Sequence, residues 1–199
     1  MSDIGDLSSL EELIIKDDIE MKTSLPDSIG RLKNLRILDL EGRQGGHDED
    51  DDIPGWQSLP RTLATLQSLT ILNLYGCKYV KELPAGIGEL RCLEDINVGH
   101  CDQIAEKKET YVALGKIPTL RRLSMMCCRT IVALPEEIGG LTSLQYFDLA
   151  LCNQLEDLSV GTNSYFPHTL AFSHRAETLT PTSHSRKALY SCAASWSST

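Results

Sequence analysis

Apolar residues recur along this chain in one pattern repeated several times. LPDSIGRLKNLRILDLEG begins at Leu25, LPRTLATLQSLTILNLYGC at Leu59, LPAGIGELRCLEDINVGHC at Leu83 and LPEEIGGLTSLQYFDLALC at Leu134. A degenerate copy without the LP opening, YVALGKIPTLRRLSMMCC, runs from Tyr111 to Cys128, and the N-terminal IGDLSSLEELIIKDD matches the second half of a unit. Aligned on the fourth position of L-x-x-L-x-L-x-x-C, the register residues are Leu13, Leu38, Leu72, Ile96, Leu123 and Phe147, separated by 25, 34, 24, 27 and 24 residues. Neither an amphipathic helix nor a lone strand has such a period. A solenoid does: each unit supplies one short strand whose inward apolar side chains stack on those of the next unit, closing a core that no single unit could close.

The pattern therefore predicts an α/β-class solenoid over residues 1–160, of about six units beginning with a partial repeat, with a curved parallel sheet on the concave face and irregular or short helical segments on the convex face. The L-x-x-L-x-L-x-x-C core, with LPxxIGxLxxL ahead of it, resembles leucine-rich repeats. This form, over residues 4 to 158, resembles the repeats of plant intracellular nucleotide-binding immune receptors (disease-resistance proteins), and more loosely those of the intracellular Ras-group repeat proteins of plants. The resemblance implies a module that recognises a protein: a pathogen effector, a guarded host protein or an attached nucleotide-binding switch domain. The alternative it leaves open is a free-standing signalling scaffold of the Ras-group type.

One spacing exceeds the rest. Between the strand ending near Gly42 and the LP at Leu59 lies an insertion over residues 43–57, containing GHDEDDDIPGW. Register is intact on both sides, so the extra residues are expected to bulge as a solvated surface loop. Consecutive aspartates beside His47 suggest a hard cation, but a calcium loop needs ligands at alternating spacing, a glycine turn and a distal bidentate Glu, which are absent. A second, smaller insertion, QIAEKKE between Asp102 and Thr110, lengthens the convex segment.

Charge adds to the picture mainly by exclusion. Of 199 residues, 19 are basic and 28 acidic, for a formal charge of −9, of which Asp48, Glu49, Asp50, Asp51 and Asp52 supply more than half. No basic stripe is present to neutralise phosphates, so nucleic acid is not expected as a partner. The N-terminus lacks a signal-peptide pattern, and no apolar run approaches the roughly 20 residues of a membrane span. A cytoplasmic or nuclear location is the corresponding expectation, with the seven cysteines as reduced thiols.

Cys77, Cys101, Cys128 and Cys152 each lie five residues beyond a register residue. Thiols at one repeat phase point in parallel and do not converge on a metal; a small buried side chain at the strand-to-loop corner is expected. Cys92 is expected on the surface and Cys127 near the concave edge. His100 beside Cys101 is no nucleophile pair, since neighbours on an extended segment point apart. Glu136 and Glu137 are expected on a solvated convex face. No GxxxxGK[ST] loop occurs. The reading is thus of a non-enzyme with no catalytic residues, metal site or cofactor.

What remains is the concave face, built from strand positions three, five and seven. Its protein-binding candidates are Asp39, Glu41, Ile71, Asn73, Tyr75, Asp95, Asn97, Arg122, Ser124, Met126, Tyr146 and Asp148. Polar groups flanked by aromatic and Met anchors suit protein recognition. The chain starts in mid-repeat with no capping segment, which suggests a piece of a longer protein. Residues 161–199, rich in Ser, Thr and His and out of register, are expected to form a disordered or aberrant tail.

Overall fold

The computed structural model describes residues 3–16, 24–42, 55–156 and the strand 171–173. Among the described residues, seven strands form one parallel sheet in chain order: β1 (Glu12–Ile14), β2 (Ile37–Asp39), β3 (Ile71–Asn73), β4 (Asp95–Asn97), β5 (Arg122–Ser124), β6 (Tyr146–Asp148) and β7 (Ala171–Ser173). Each of the six register residues sits at the centre of its strand and pairs with the next: Leu13 on Leu38, then Leu72, Ile96, Leu123 and Phe147. From Leu38 to Phe147 these side chains are wholly buried. Leu13 is only partly covered, because among the described residues it has a repeat on one side alone.

The convex side is made of short helical turns, and the sequence shows why each begins where it does. Pro26, Pro60 and Pro135 precede single-turn 3-10 helices at Asp27–Arg31, Arg61–Thr65 and Glu136–Gly140. Proline fixes φ and has no N–H to leave unpaired at a helix start. In the unit between them, Gly86 at φ +91° turns the chain into a shorter turn, Ile87–Glu89. These turns bring Ile29, Leu63, Ile87 and Ile138 inward, each fully buried beneath the sheet.

Where the LP opening is missing, the convex side is truly α-helical. Helix α1 (Asp102–Ala105) and helix α2 (Lys108–Leu114) occupy the QIAEKKE insertion and the start of the degenerate unit. Their junction is held by Thr110 Oγ1 donating to Ile104 O at 2.8 Å and by the buried Tyr111 hydroxyl donating to Ala105 O at 2.8 Å. Lys108 Nζ then reaches Glu137 Oε1 at 2.5 Å, tying α2 to the convex turn of the next unit.

Four sequence expectations are corrected. Glu137 is no merely solvated acid: it is half-buried, hydrogen-bonded to Lys108, and its Oε2 has no hydrogen-bond partner. The insertion does not stay wholly outside the core, since Trp56 near its end is buried at 8% exposure and Ser58 bridges in parallel to Ser24. An indole of that size gains more from core packing than a loop position allows. Residues 43–54, with the acidic run, lie outside the described residues. So does the tail over 161–199, apart from β7, which pairs with β6 in register, Phe172 on Phe147. The apolar pattern concealed this strand because its unit has Thr169 for the leading Leu and Glu177 for the ladder Cys. His100 is not extended, as the fourth correction, and its geometry belongs to the site.

Candidate functional site

Pairing puts strand positions three and five into straight columns across the sheet. Position three runs Glu12, Ile37, Ile71, Asp95, Arg122, Tyr146; position five runs Ile14, Asp39, Asn73, Asn97, Ser124, Asp148. Position seven, just past each strand, carries Lys16, Glu41, Tyr75, Gly99, Met126 and Ala150. Side chains two apart on a strand share a face. All twelve candidate residues therefore lie on one side of the sheet, opposite the buried register column.

The position-five residues have a local task of their own. Each Asp or Asn side chain accepts a hydrogen bond from the backbone N–H two residues on: Asp39 Oδ1 from Glu41 at 3.2 Å, Asn73 Oδ1 from Tyr75 at 3.1 Å, Asn97 Oδ1 from Gly99 at 3.0 Å, and Asp148 Oδ1 from Ala150 at 2.9 Å. This Asx-type bond turns the chain out of the strand, which is why Asp and Asn recur there. Between units, Asn73 Nδ2 donates to Asp39 Oδ1 at 2.8 Å, and Ser124 Oγ reaches Asp148 Oδ2 at 3.5 Å. The polar column is a scaffold first, with capacity left over.

Ion pairs organise the flanks. Lys16 Nζ contacts Asp39 Oδ2 at 3.2 Å and Glu41 Oε2 at 2.9 Å. Hydrogen bonds donated to Glu41 and then to Asp39 raise the Lys16 pKa above its ordinary value. Arg122 Nε donates to Asp95 Oδ2 at 2.8 Å, across β4 and β5.

The strand ends carry an aromatic platform that sequence reasoning missed. Tyr75 lies over the backbone of Gly99, where a Cβ would come within 2.8 Å of Tyr75 Cδ2, and its ring meets His100 edge-on with centroids 5.2 Å apart at 83°. His100 can do this because its backbone is left-handed, φ +58°. Cys127 at φ +60°, Leu151 at φ +62° and Gly76 at φ +75° share that phase, one residue before each ladder cysteine. The signal existed at Gly76, where the sequence places glycine as this conformation prefers; His, Cys and Leu at the other three positions hid it. Burial, then the charges of Arg129 and Lys78, depress the His100 pKa. Burial, more than the nearby Cys127 and Glu41, raises that of Tyr75.

The cysteine ladder is structural. Cys77, Cys101, Cys128 and Cys152 are buried, and their thiols donate to Leu40 O, Leu74 O, Val98 O and Met125 O of the preceding unit at 3.1, 3.0, 3.4 and 3.2 Å. Burial pushes the Cys77 thiol up to about 12 and Cys152 to about 11, and Cys101 and Cys128 also upward. Thiols so protonated are donors, not nucleophiles or metal ligands. Cys101 thus turns inward while His100 faces Tyr75. Cys92 is exposed, and Cys127 is buried. Among the described residues no group of three or more His, Cys, Asp or Glu is placed to hold a metal, and no helix is long and apolar enough to cross a membrane.

A one-strand-per-unit solenoid with an in-register Leu column, 3-10 turns outside and a cysteine corner is a leucine-rich-repeat array. The chain belongs to the leucine-rich repeat region family, which matches residues 1–130. Leucine-rich repeats are in general non-enzymatic scaffolds for protein interaction, and no catalytic family is indicated. No curated protein matches the chain. Among solved structures, the leucine-rich repeat domain of the type III effector XCV3220 (XopL) has a TM-score of 0.56 at 22% identity, over 84% of this chain and 69% of that one. The plant peptide hormone receptor RGFR1, solved in complex with RGF2, has a TM-score of 0.52 at 19% identity over 86% of this chain. This chain spans about a quarter of that receptor's length, 26%. Such identities reflect the fold alone.

Proposed function

We propose that the concave face is a protein-recognition surface, and that the chain serves as the repeat region of a plant disease-resistance receptor acting in defence in the cytoplasm or nucleus. The observation that carries the reading is the in-register face itself, with twelve candidate side chains on one side of one continuous sheet. It combines fixed polar groups with the partly exposed anchors Ile71, Tyr75, Met126 and Tyr146. Buried aromatic and apolar anchors within a polar rim are where protein interfaces concentrate their binding energy. The LPxxIGxLxxL phrasing supports the plant receptor assignment, with a pathogen effector, a guarded host protein or an attached nucleotide-binding switch as partner.

Two measurements test this reading. Sequencing the native transcript is expected to show a nucleotide-binding domain in frame upstream; a message that starts at Met1 would favour the free-standing scaffold. With a partner in hand, the Tyr75→Ala, Tyr146→Ala double variant is expected to lose binding while staying folded. Undiminished binding would move the site off the concave face.

A further inference from the structure

The concave face has an unbalanced charge. Among the described residues from β1 to β6 it carries five carboxylates, Glu12, Asp39, Glu41, Asp95 and Asp148, against two cations, Lys16 and Arg122. Lys16 is shared by Asp39 and Glu41, and Arg122 is taken by Asp95. Among the described residues no cation pairs with Glu12 on β1 or with Asp148 on β6. The two unneutralised acids therefore stand far apart on the face, one on the first strand and one on β6, next to the outer strand β7.

Asp148 is the better-built of the two. Its Oδ1 takes the Ala150 N–H at 2.9 Å, and among the described side chains its Oδ2 has only the long Ser124 contact of 3.5 Å. A carboxylate can accept about four hydrogen bonds, so capacity remains. Two residues earlier on the same face stands Tyr146, 36% exposed. An aromatic ring beside a carboxylate suits a planar guanidinium, which stacks on the one while bonding the other. Between the two acids lie Ile37, Ile71 and Tyr75, each partly exposed.

We propose that this face takes an extended, positively charged polypeptide segment, with an arginine on Tyr146 and Asp148, a second cation at Glu12, and apolar side chains over Ile37, Ile71 and Tyr75. The proposal rests on the concave-face reading above and adds the chemistry of the partner. From β1 to β6 is five strand spacings of about 4.8 Å, roughly 24 Å, which an extended chain covers in about seven residues. The two cations are thus spaced about seven residues apart along the segment.

The test is selection of a random dodecapeptide display library against the whole chain, followed by fluorescence anisotropy of the enriched peptides. Peptides with two basic residues, Arg predominant, are expected. Asp148→Asn, which keeps the acceptor for the Ala150 N–H, is expected to weaken them about tenfold, as loss of a charge-assisted pair should. Glu12→Gln should act in the same direction and the convex Glu89→Gln should have no effect. Enriched peptides without basic residues that still depend on Tyr75 and Tyr146 would overturn the charge proposal and leave the concave reading standing. Peptides indifferent to every concave variant would overturn both. Basic peptides that depend on Asp48–Asp52 in place of Asp148, or an absence of any enrichment, would also overturn the proposal.

Discussion

Asn73 holds Asp39: its amide Nδ2 donates to Asp39 Oδ1 at 2.8 Å while its own Oδ1 accepts the Tyr75 N–H at 3.1 Å. One side chain therefore closes the turn of its own unit and locks the neighbouring acid. Asn73→Ala is expected to cost about 1–3 kcal/mol, because a backbone donor and a part-buried carboxylate both lose a partner. Asn73→Asp should cost as much or more, since two carboxylates would then stand opposite each other on adjacent strands. Urea unfolding of the two variants checks this; wild-type midpoints would show that solvent replaces both bonds without cost.

The register column sets the scale for core truncation. Leu72 and Ile96 are wholly buried at the centres of β3 and β4, whereas Glu89 is exposed on the convex side. Leu72→Ala and Ile96→Ala are each expected to lose about 2–5 kcal/mol, and Glu89→Ala less than about 0.5. Equal melting temperatures for all three would refute the assignment of the inward face.

Leu151 invites a stabilising change. It holds φ +62° with a branched side chain, 44% exposed. The left-handed conformation costs a non-glycine residue about 1–2 kcal/mol, of which glycine's freedom in the unfolded chain returns roughly half. Leu151→Gly is thus expected to raise stability by about 0.5–1 kcal/mol. At the same phase Gly76→Ala should do the reverse, with φ +75° and an added Cβ only 2.8 Å from Gly42 O. Differential scanning calorimetry of the pair reads both signs, and a destabilised Leu151→Gly would mean that the leucine packs against something more valuable than its strain.

The thiol ladder predicts a base-limited fold. Burial raises Cys77 from 9.0 to about 12 and Cys152 from 9.0 to about 11. Below pH 9 these thiols are neutral whether folded or not, and their contribution is constant. Above it the unfolded chain loses protons that the folded chain keeps, so stability falls from about pH 9 until the folded pKa is passed. Urea midpoints measured from pH 7 to 11 should be flat and then decline, and Cys77→Ala, though less stable at neutral pH, should decline less steeply. At pH 8 the exposed Cys92 should be alkylated quickly by iodoacetamide while Cys77, Cys101, Cys128 and Cys152 resist until urea is added. Uniform labelling of all five would contradict the ladder.

How much of this was legible beforehand differs from element to element. The register column, all six expected strands and the inward cysteines follow from the spacing of Leu, Ile and Cys, because a repeat must present the same side chain to the same neighbour. The columns of the concave face follow from the same spacing together with period-two alternation. The left-handed corner could not be read where His100, Cys127 and Leu151 stand in a conformation their residue types disfavour; tertiary pairing of the flanking strands imposes it. Trp56 reads as a loop residue because acidic and glycine neighbours outweigh one indole, and β7 is silent in the sequence because one strand without its leucine or cysteine markers has no periodic signal. The Tyr75 and His100 platform depends on that hidden corner, and so does the inward turn of Cys101 behind it.

Each ladder thiol satisfies a carbonyl that belongs to the unit before it. From β2 to β6 the array therefore has a grain: each unit of β3 to β6 finishes its predecessor. Within that stretch, duplicating or losing one whole unit leaves each of these carbonyls with a thiol, whereas a junction elsewhere strands a donor on one side and an acceptor on the other. Variation in the length of such a chain is thereby steered toward whole-unit steps, and a gene carrying it can lengthen or shorten its recognition face without redesigning the frame that holds it.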